Sequence, residues 1–91
     1  MSASEAEVVS KVKAFIQENF LYMRPNFQVG TEDRLLEQGI IDSMGVLDLL
    51  NYLEETFGVR VADDELTEDN LGTLSSIARF VNAKRAAVGA D

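Results

Sequence analysis

The stretch Gly39-Ile40-Ile41-Asp42-Ser43-Met44-Gly45 runs directly into Val46, Leu49, Leu50, Leu53 and Phe57. Those five apolar residues fall at helical spacing, which predicts a helix from about Ser43 to Phe57 with one buried face. Ser43 stands at its mouth. Ser, Thr, Asp and Asn all cap the unpaired amides of a first helical turn, so capping is the simplest reading of Asp42-Ser43. The neighbours add to that reading. Gly39 permits a tight turn, Ile40 and Ile41 read as anchors entering a core, and Met44 falls on the outward side. Together they describe a hydroxyl at a helix N-terminus, in front of backbone amides that favour an anion, where a phosphate on Ser43 would be stabilised.

On a 3.6-residue repeat, Met44, Leu47, Asp48, Asn51, Glu54 and Glu55 lie on or beside the side opposite the apolar stripe. Two exposed apolar groups flanked by carboxylates make a docking surface, because apolar contact supplies affinity and peripheral charge supplies orientation. The plainer alternative is that the carboxylates only solubilise the helix and Leu47 is partly buried. Gly45 costs a helix roughly 0.5 to 1 kcal/mol relative to alanine, which is tolerable so near the start. It either lets a partner or prosthetic group approach the backbone closely or has no role.

Asp42-Ser43-Met44, preceded by a glycine and two apolar residues and followed by a helix ending Glu54-Glu55-Thr56-Phe57-Gly58-Val59, resembles the Asp-Ser-Leu signature of acyl carrier proteins. It looks closer still to the Leu-Leu-Asp-Ser-x-Gly form of D-alanyl carrier proteins and related stand-alone carriers. The likeness spans roughly residues 8 to 85 and includes the later Leu71-x-x-Leu74-x-x-Ile77 pattern. An Asp-Ser-hydrophobic triplet alone is a weak signal; with these flanks and this chain length it is a strong one.

The resemblance implies an all-α fold, a small four-helix bundle of acyl-carrier-protein type with three longer helices and one short one. It implies 4'-phosphopantetheine attached covalently to Ser43 from coenzyme A by a phosphopantetheinyl transferase. Asp42 would help set the helix start and take part in transferase recognition, and Met44 and Leu47 would contact the arm or a partner. Asp48, Glu54 and Glu55 would steer docking onto basic surfaces of acyl- or aminoacyl-loading ligases and of downstream synthases and transferases. The D-alanyl pattern also has glycine at position 45. Asn51 departs from the apolar residue that many fatty-acid carriers have there, which argues against a fatty-acid synthase role specifically.

Composition narrows the rest. Ninety-one residues make one small domain, expected to be ordered over about 5 to 87 and frayed from Val88 to Asp91. With 46% apolar and 26% charged residues the chain is an ordinary globular one. It contains neither cysteine nor histidine, so disulfides and thiolate metal sites are excluded, as are the usual nucleophilic constellations. An enzyme is not expected, and no metal site is either. The acids between residues 63 and 69 lack the alternating ligands, central glycine and closing glutamate of a calcium loop.

The net charge of −8 argues against binding nucleic acid or anionic membranes. Between residues 31 and 70 the excess of acids is strongest, with only Arg34 and Arg60 to offset it. That one-signed segment surrounds Ser43 and would steer basic partners toward it. No apolar stretch is long enough to span a bilayer and the N-terminus lacks signal-peptide character, so a cytoplasmic monomer is expected.

Along the chain, Val8, Val12, Phe15, Ile16 and Phe20 predict a first amphipathic helix from Ser4 to about Phe20, opened by a Ser4–Glu7 capping box. Residues 21 to 42 predict a long loop punctuated by Pro25 and Gly30. Its anchors are Phe27, Val29, Leu35, Leu36, Ile40 and Ile41, with one possible helical turn at Leu35-Leu36-Glu37-Gln38. Gly58 suits a helix C-cap, Val59-Arg60-Val61 an extended connector, and Ala62 to Leu66 one short helical turn. Thr67 to Gly72 reads as turn. Thr73-Leu74-Ser75 opens a last helix to about Ala87, its apolar face Leu74, Ile77, Ala78 and Val81, widened by Phe80.

Two functions from different classes follow. One is a non-catalytic carrier that holds acyl or aminoacyl groups as thioesters on the arm at Ser43. The other is an acidic helical adaptor that binds a basic protein and uses Ser43 purely as an N-cap. A hydrolase is a distant third, with no base in sight.

Overall fold

A computed structural model describes residues 3–21, 23 and 26–89, with the backbone alone at 3, 4 and 87–89. Pro25 and the bias it places on Arg24 lie outside the described residues. Three long helices carry the architecture. The first, α1 (Ala3–Asn19), buries Val8, Val12 and Ile16 completely, with Val9 beside them. Its helical backbone already includes Ser4, so Ser4 is not the residue that precedes the helix; its side chain lies outside the described residues. Phe20 and Leu21 close the helix by donating to the carbonyl of Ile16, and Leu21 is buried.

Helix α2 (Ser43–Phe57) has the bounds that the apolar stripe predicts. Leu49 and Leu53 are fully buried, while Val46, Leu50 and Phe57 are half-buried at its margins. Gly58 ends the helix in the left-handed conformation at φ 68°, and Gly39 takes φ 70° in the turn before it. Only glycine reaches that region without a Cβ penalty. Residues 59 to 61, expected as an extended connector, lie in a stretch without helix or strand, anchored by buried Val59. The acids that follow form one 3-10 turn, Asp63–Glu65.

The segment from Thr67 to Gly72 corrects the sequence reading. It is not a plain turn but a short helix, α3 (Glu68–Leu71), which begins where the Thr67 hydroxyl accepts from the amide of Asn70 at 3.2 Å. Threonine three residues ahead of a free amide is an N-cap as readily as a turn residue, and buried Leu71 is the anchor that decides between them. The short helix of the bundle therefore lies a few residues beyond the Ala62–Leu66 turn.

Helix α4 (Leu74–Gly89) buries Leu74, Ile77, Ala78 and Val81, and Phe80 widens that face. Thr73 caps it, accepting from the Ser76 amide at 3.1 Å. Ser75 is not a cap. Its hydroxyl is buried and donates to the Glu32 carboxylate, and its amide donates to the Thr31 carbonyl at 3.1 Å. The helical backbone continues through Val88 and Gly89, where fraying was expected; positions 90 and 91 lie outside the described residues.

α1 and α4 form the most extensive helix pair, α2 packs across both, and α3 packs on α4. Among the described residues there are no strands, and the fold is an all-helical bundle of three long helices and one short one. One apolar core draws on every long helix and on the loop through Leu21, Val29, Leu35, Ile40 and Ile41. Removing a core side chain such as Leu53 would cost on the order of 2 to 5 kcal/mol.

The loop from residue 21 to 42 has no helix or strand among its described residues, yet it is stitched down. The amide of Leu35 donates to the Gly72 carbonyl at 2.9 Å, and Arg34 reaches Glu68 at 3.3 Å. The expected turn of helix at residues 35–38 is present as hydrogen-bonded turns closed by Gly39. Leu36 corrects its assignment as an anchor, because it is 46% exposed. Of the two neighbours, Leu35 takes the inside place and is completely buried.

Candidate functional site

The start of α2 is built by Asp42. Its backbone is extended at φ −102°, ψ 179°, and its carboxylate accepts from the Gly45 amide at 2.7 Å. That is an N-cap, with the Asp42 carbonyl accepting the first helical bond from Val46. Ser43 is thereby the first helical residue and not the cap. Its side chain is exposed. Its hydroxyl has no hydrogen-bond partner among the described residues. The capping explanation of Ser43, on which the adaptor reading stood, is corrected by this division of labour.

The residues around Ser43 follow from helix geometry. Met44 is 72% exposed and Leu47 is 51% exposed, and Leu47 lies one turn beyond Ser43 on the same side. Asp48, Asn51 and Glu55 are exposed on the outer face of α2. Glu54 differs from the expectation of a free docking carboxylate. It is half-buried and accepts from the Val61 amide at 3.0 Å, so it fastens the 59–61 connector to the helix.

Gly45 also gains a specific reason. It is buried under Phe20, and a Cβ built on it would stand 2.7 Å from Cε1 of that ring. The close approach at this glycine is made by the end of α1, inside the molecule. Phe20 in turn meets Phe15 edge to face at 5.8 Å, and Phe15 stacks on Tyr52 at 4.3 Å. Tyr52 donates to the Lys11 carbonyl at 3.2 Å. The orientation of α2, and with it the position of Ser43, is set by this aromatic seam against α1.

On the other side of α2 lies a small apolar cleft of about 80 Å3, walled by Leu36, Val46, Leu49, Leu66 and Leu71. Sequence reasoning missed it by assigning Leu36 to the core. The adjacent pair Leu35-Leu36 carries no signal that separates it from Ile40-Ile41, both of which are buried.

One titratable group outside the site departs from its ordinary behaviour. Glu65 is held below the usual carboxylate value, first by the hydrogen bond from the Ala62 amide and then by Lys84, whose Nζ lies 2.8 Å away. No helix among the described residues is long and apolar enough to cross a membrane.

The arrangement at α2 suits a covalent phosphate ester. An exposed, unpartnered hydroxyl sits at the amide-rich end of a 15-residue helix, and the capping carboxylate is engaged with an amide of its own. The model of the phosphopantetheine attachment site matches residues 12–81. The acyl carrier protein of Thermotoga maritima is 33% identical over 82 residues, covering 90% of this chain and 96% of the relative. The acyl carrier protein of Thermosynechococcus vestitus is 33% identical over 84 residues, covering 92% and 99%. A D-alanyl carrier protein of Streptococcus pyogenes is 33% identical over 61 residues, covering 67% and 76%. Identity does not separate the two kinds of carrier. The prosthetic group that goes with this match is covalent 4'-phosphopantetheine, and the chain belongs to the phosphopantetheine-attachment family of acyl and D-alanyl carrier proteins.

Proposed function

We propose that Ser43 is the residue to which 4'-phosphopantetheine is attached, and that the loaded chain carries acyl or aminoacyl groups between enzymes. The observation that carries this reading is the hydroxyl of Ser43: exposed, unpartnered among the described residues, and relieved of capping by Asp42. When bound, the prosthetic group supplies a terminal thiol that holds the cargo as a thioester, chemistry that a chain without cysteine cannot supply itself.

The chain's own residues hold and present. Asp42 fixes the first turn of α2 and so the direction of Ser43, and the unpaired amides of that turn favour the phosphate. Met44 and Leu47 offer apolar contact beside it, and Asp48 and Glu55 add charge that draws basic surfaces of a transferase, a loading ligase or a synthase. Glu54 contributes mainly by holding the connector. Loading draws on coenzyme A, and the compartment this reading assigns is the cytoplasm.

Incubation with coenzyme A and a broad-specificity phosphopantetheinyl transferase, followed by intact mass measurement, tests the assignment. The expected result is one added phosphopantetheine on the parent chain and none on Ser43→Ala. An unchanged parent mass, or an addition that survives Ser43→Ala, overturns it.

A further inference from the structure

The chain contains no cysteine, histidine or tryptophan, so its three methionines are the side chains that a mild oxidant such as hydrogen peroxide attacks first. Met1 lies outside the described residues. Met23, in the loop after α1, is 78% exposed, and Met44, in the first turn of α2, is 72% exposed. Neither belongs to the apolar core, so no packing shields either sulfur.

Equal in exposure, the two differ in place. Met44 follows Ser43 directly and, on a 3.6-residue repeat, stands in the middle of the outer face of α2, with Leu47 and Asp48 as its neighbours one turn on. Met44 and Leu47 are the exposed large apolar side chains of that helix, so half of the apolar contact beside Ser43 depends on one thioether. Oxidation to the sulfoxide turns this flexible apolar side chain into a strongly polar one. The new oxygen accepts hydrogen bonds and donates none, on a face whose other exposed groups already include the carboxylates of Asp48 and Glu55. Enclosing such an acceptor in an apolar contact without a donor is unfavourable.

We propose that Met44 is a reversible oxidation switch on loading, a control that rests on the reading of Ser43 as the attachment site: conversion of its thioether to the sulfoxide by a peroxide slows attachment at Ser43, and reduction restores it. In the forward step a sulfur lone pair attacks one peroxide oxygen, and the S–O bond forms as the O–O bond breaks. Sulfur is oxidised by two electrons, and the departing hydroxide takes the proton left on the sulfoxide oxygen and leaves as water. In the reverse step two thiols are oxidised to a disulfide, the sulfoxide oxygen leaves as water and the thioether returns. Met23 undergoes the same chemistry without this consequence.

The test treats the full chain with hydrogen peroxide, removes the oxidant, and then follows loading from coenzyme A by a broad-specificity phosphopantetheinyl transferase with intact mass measurement, while peptide mapping places the added oxygens. Met23 and Met44 should oxidise at rates within about twofold of each other. The oxidised parent should load with kcat/KM lowered about fivefold, the change lying in KM, and methionine sulfoxide reductases with dithiothreitol should restore it. Met23→Leu should keep the full sensitivity, whereas the treated and untreated forms of Met44→Leu should load alike. Circular dichroism should show the same helix content before and after oxidation. Loading of the oxidised parent at the untreated rate, a sensitivity that survives Met44→Leu or vanishes in Met23→Leu, or a loss of helix on oxidation would each overturn the switch. An untreated parent that takes up no phosphopantetheine refutes the assignment of Ser43 and the switch with it, while a parent that loads normally and ignores peroxide refutes the switch alone.

Discussion

The ring of Phe20 lies over the backbone of Gly45, so close that any larger residue at 45 would meet it. Gly45→Ala sets two effects against each other. Alanine favours the helix by roughly 0.5 to 1 kcal/mol, and overpacking costs roughly 1 to 3 kcal/mol. The expected outcome is a net loss of about 1 kcal/mol in urea unfolding, recovered in good part when Phe20→Leu is added. A Gly45→Ala chain more stable than the parent would contradict the packing role.

Asp42 and Ser43 should separate cleanly. Asp42→Ala removes the N-cap and should cost about 1 kcal/mol. Ser43→Ala removes an exposed hydroxyl with no partner among the described residues and should change stability by less than about 0.5 kcal/mol. Thermal or urea unfolding reads the first effect, and intact mass after transferase treatment reads the loss of loading in the second.

Glu54 and Glu55 are adjacent acids with different jobs. Glu54→Ala leaves the Val61 amide without its acceptor and should cost on the order of 1 kcal/mol. Glu55→Ala should leave stability nearly unchanged and instead raise the KM of a phosphopantetheinyl transferase for the chain, an effect that weakens with added salt. An equal stability loss in both variants would refute the distinction.

The Glu65 carboxyl gives a pH dependence with a definite sign. Its folded-state pKa is lowered from an ordinary value of 4.5, chiefly by the Ala62 amide and further by Lys84. A group depressed on folding stabilises the fold fully above its unfolded value, and that contribution is lost as pH falls through the folded value. The window therefore lies below about pH 4.5. Lys84→Met should bring Glu65 only part of the way back, because the backbone hydrogen bond remains. Carbon-detected NMR titration of the carboxyl measures this, and a complete return would show that Lys84 dominates.

The helices were legible because their apolar residues recur at one period: Val8, Val12 and Ile16 in α1, Leu49 and Leu53 in α2, and Leu74, Ile77 and Val81 in α4 are all buried. The start of α2 at Ser43 was legible for a similar reason, since Gly39, Asp42 and the stripe together locate it. What the pattern did not carry were tertiary choices. It could not say which of two adjacent candidates caps α2, whether Leu35 or Leu36 turns inward, or that Glu54 reaches back to Val61. Nor could it say that Gly45 makes room for Phe20, a residue far away in sequence. The α3 turn was missed because four residues hold too few apolar positions to display a period.

The bond from the Leu35 amide to the Gly72 carbonyl joins the approach to Ser43 to the corner between α3 and α4. Ile40 and Ile41 both donate back to the Leu35 carbonyl, so one residue is clamped on either side of its peptide groups. The serine is thus hung from a bracket whose far end is bolted to the opposite helices. Prising that corner loose tilts the bracket, and the exchange rate of a single amide proton, that of Leu35, becomes a gauge of it.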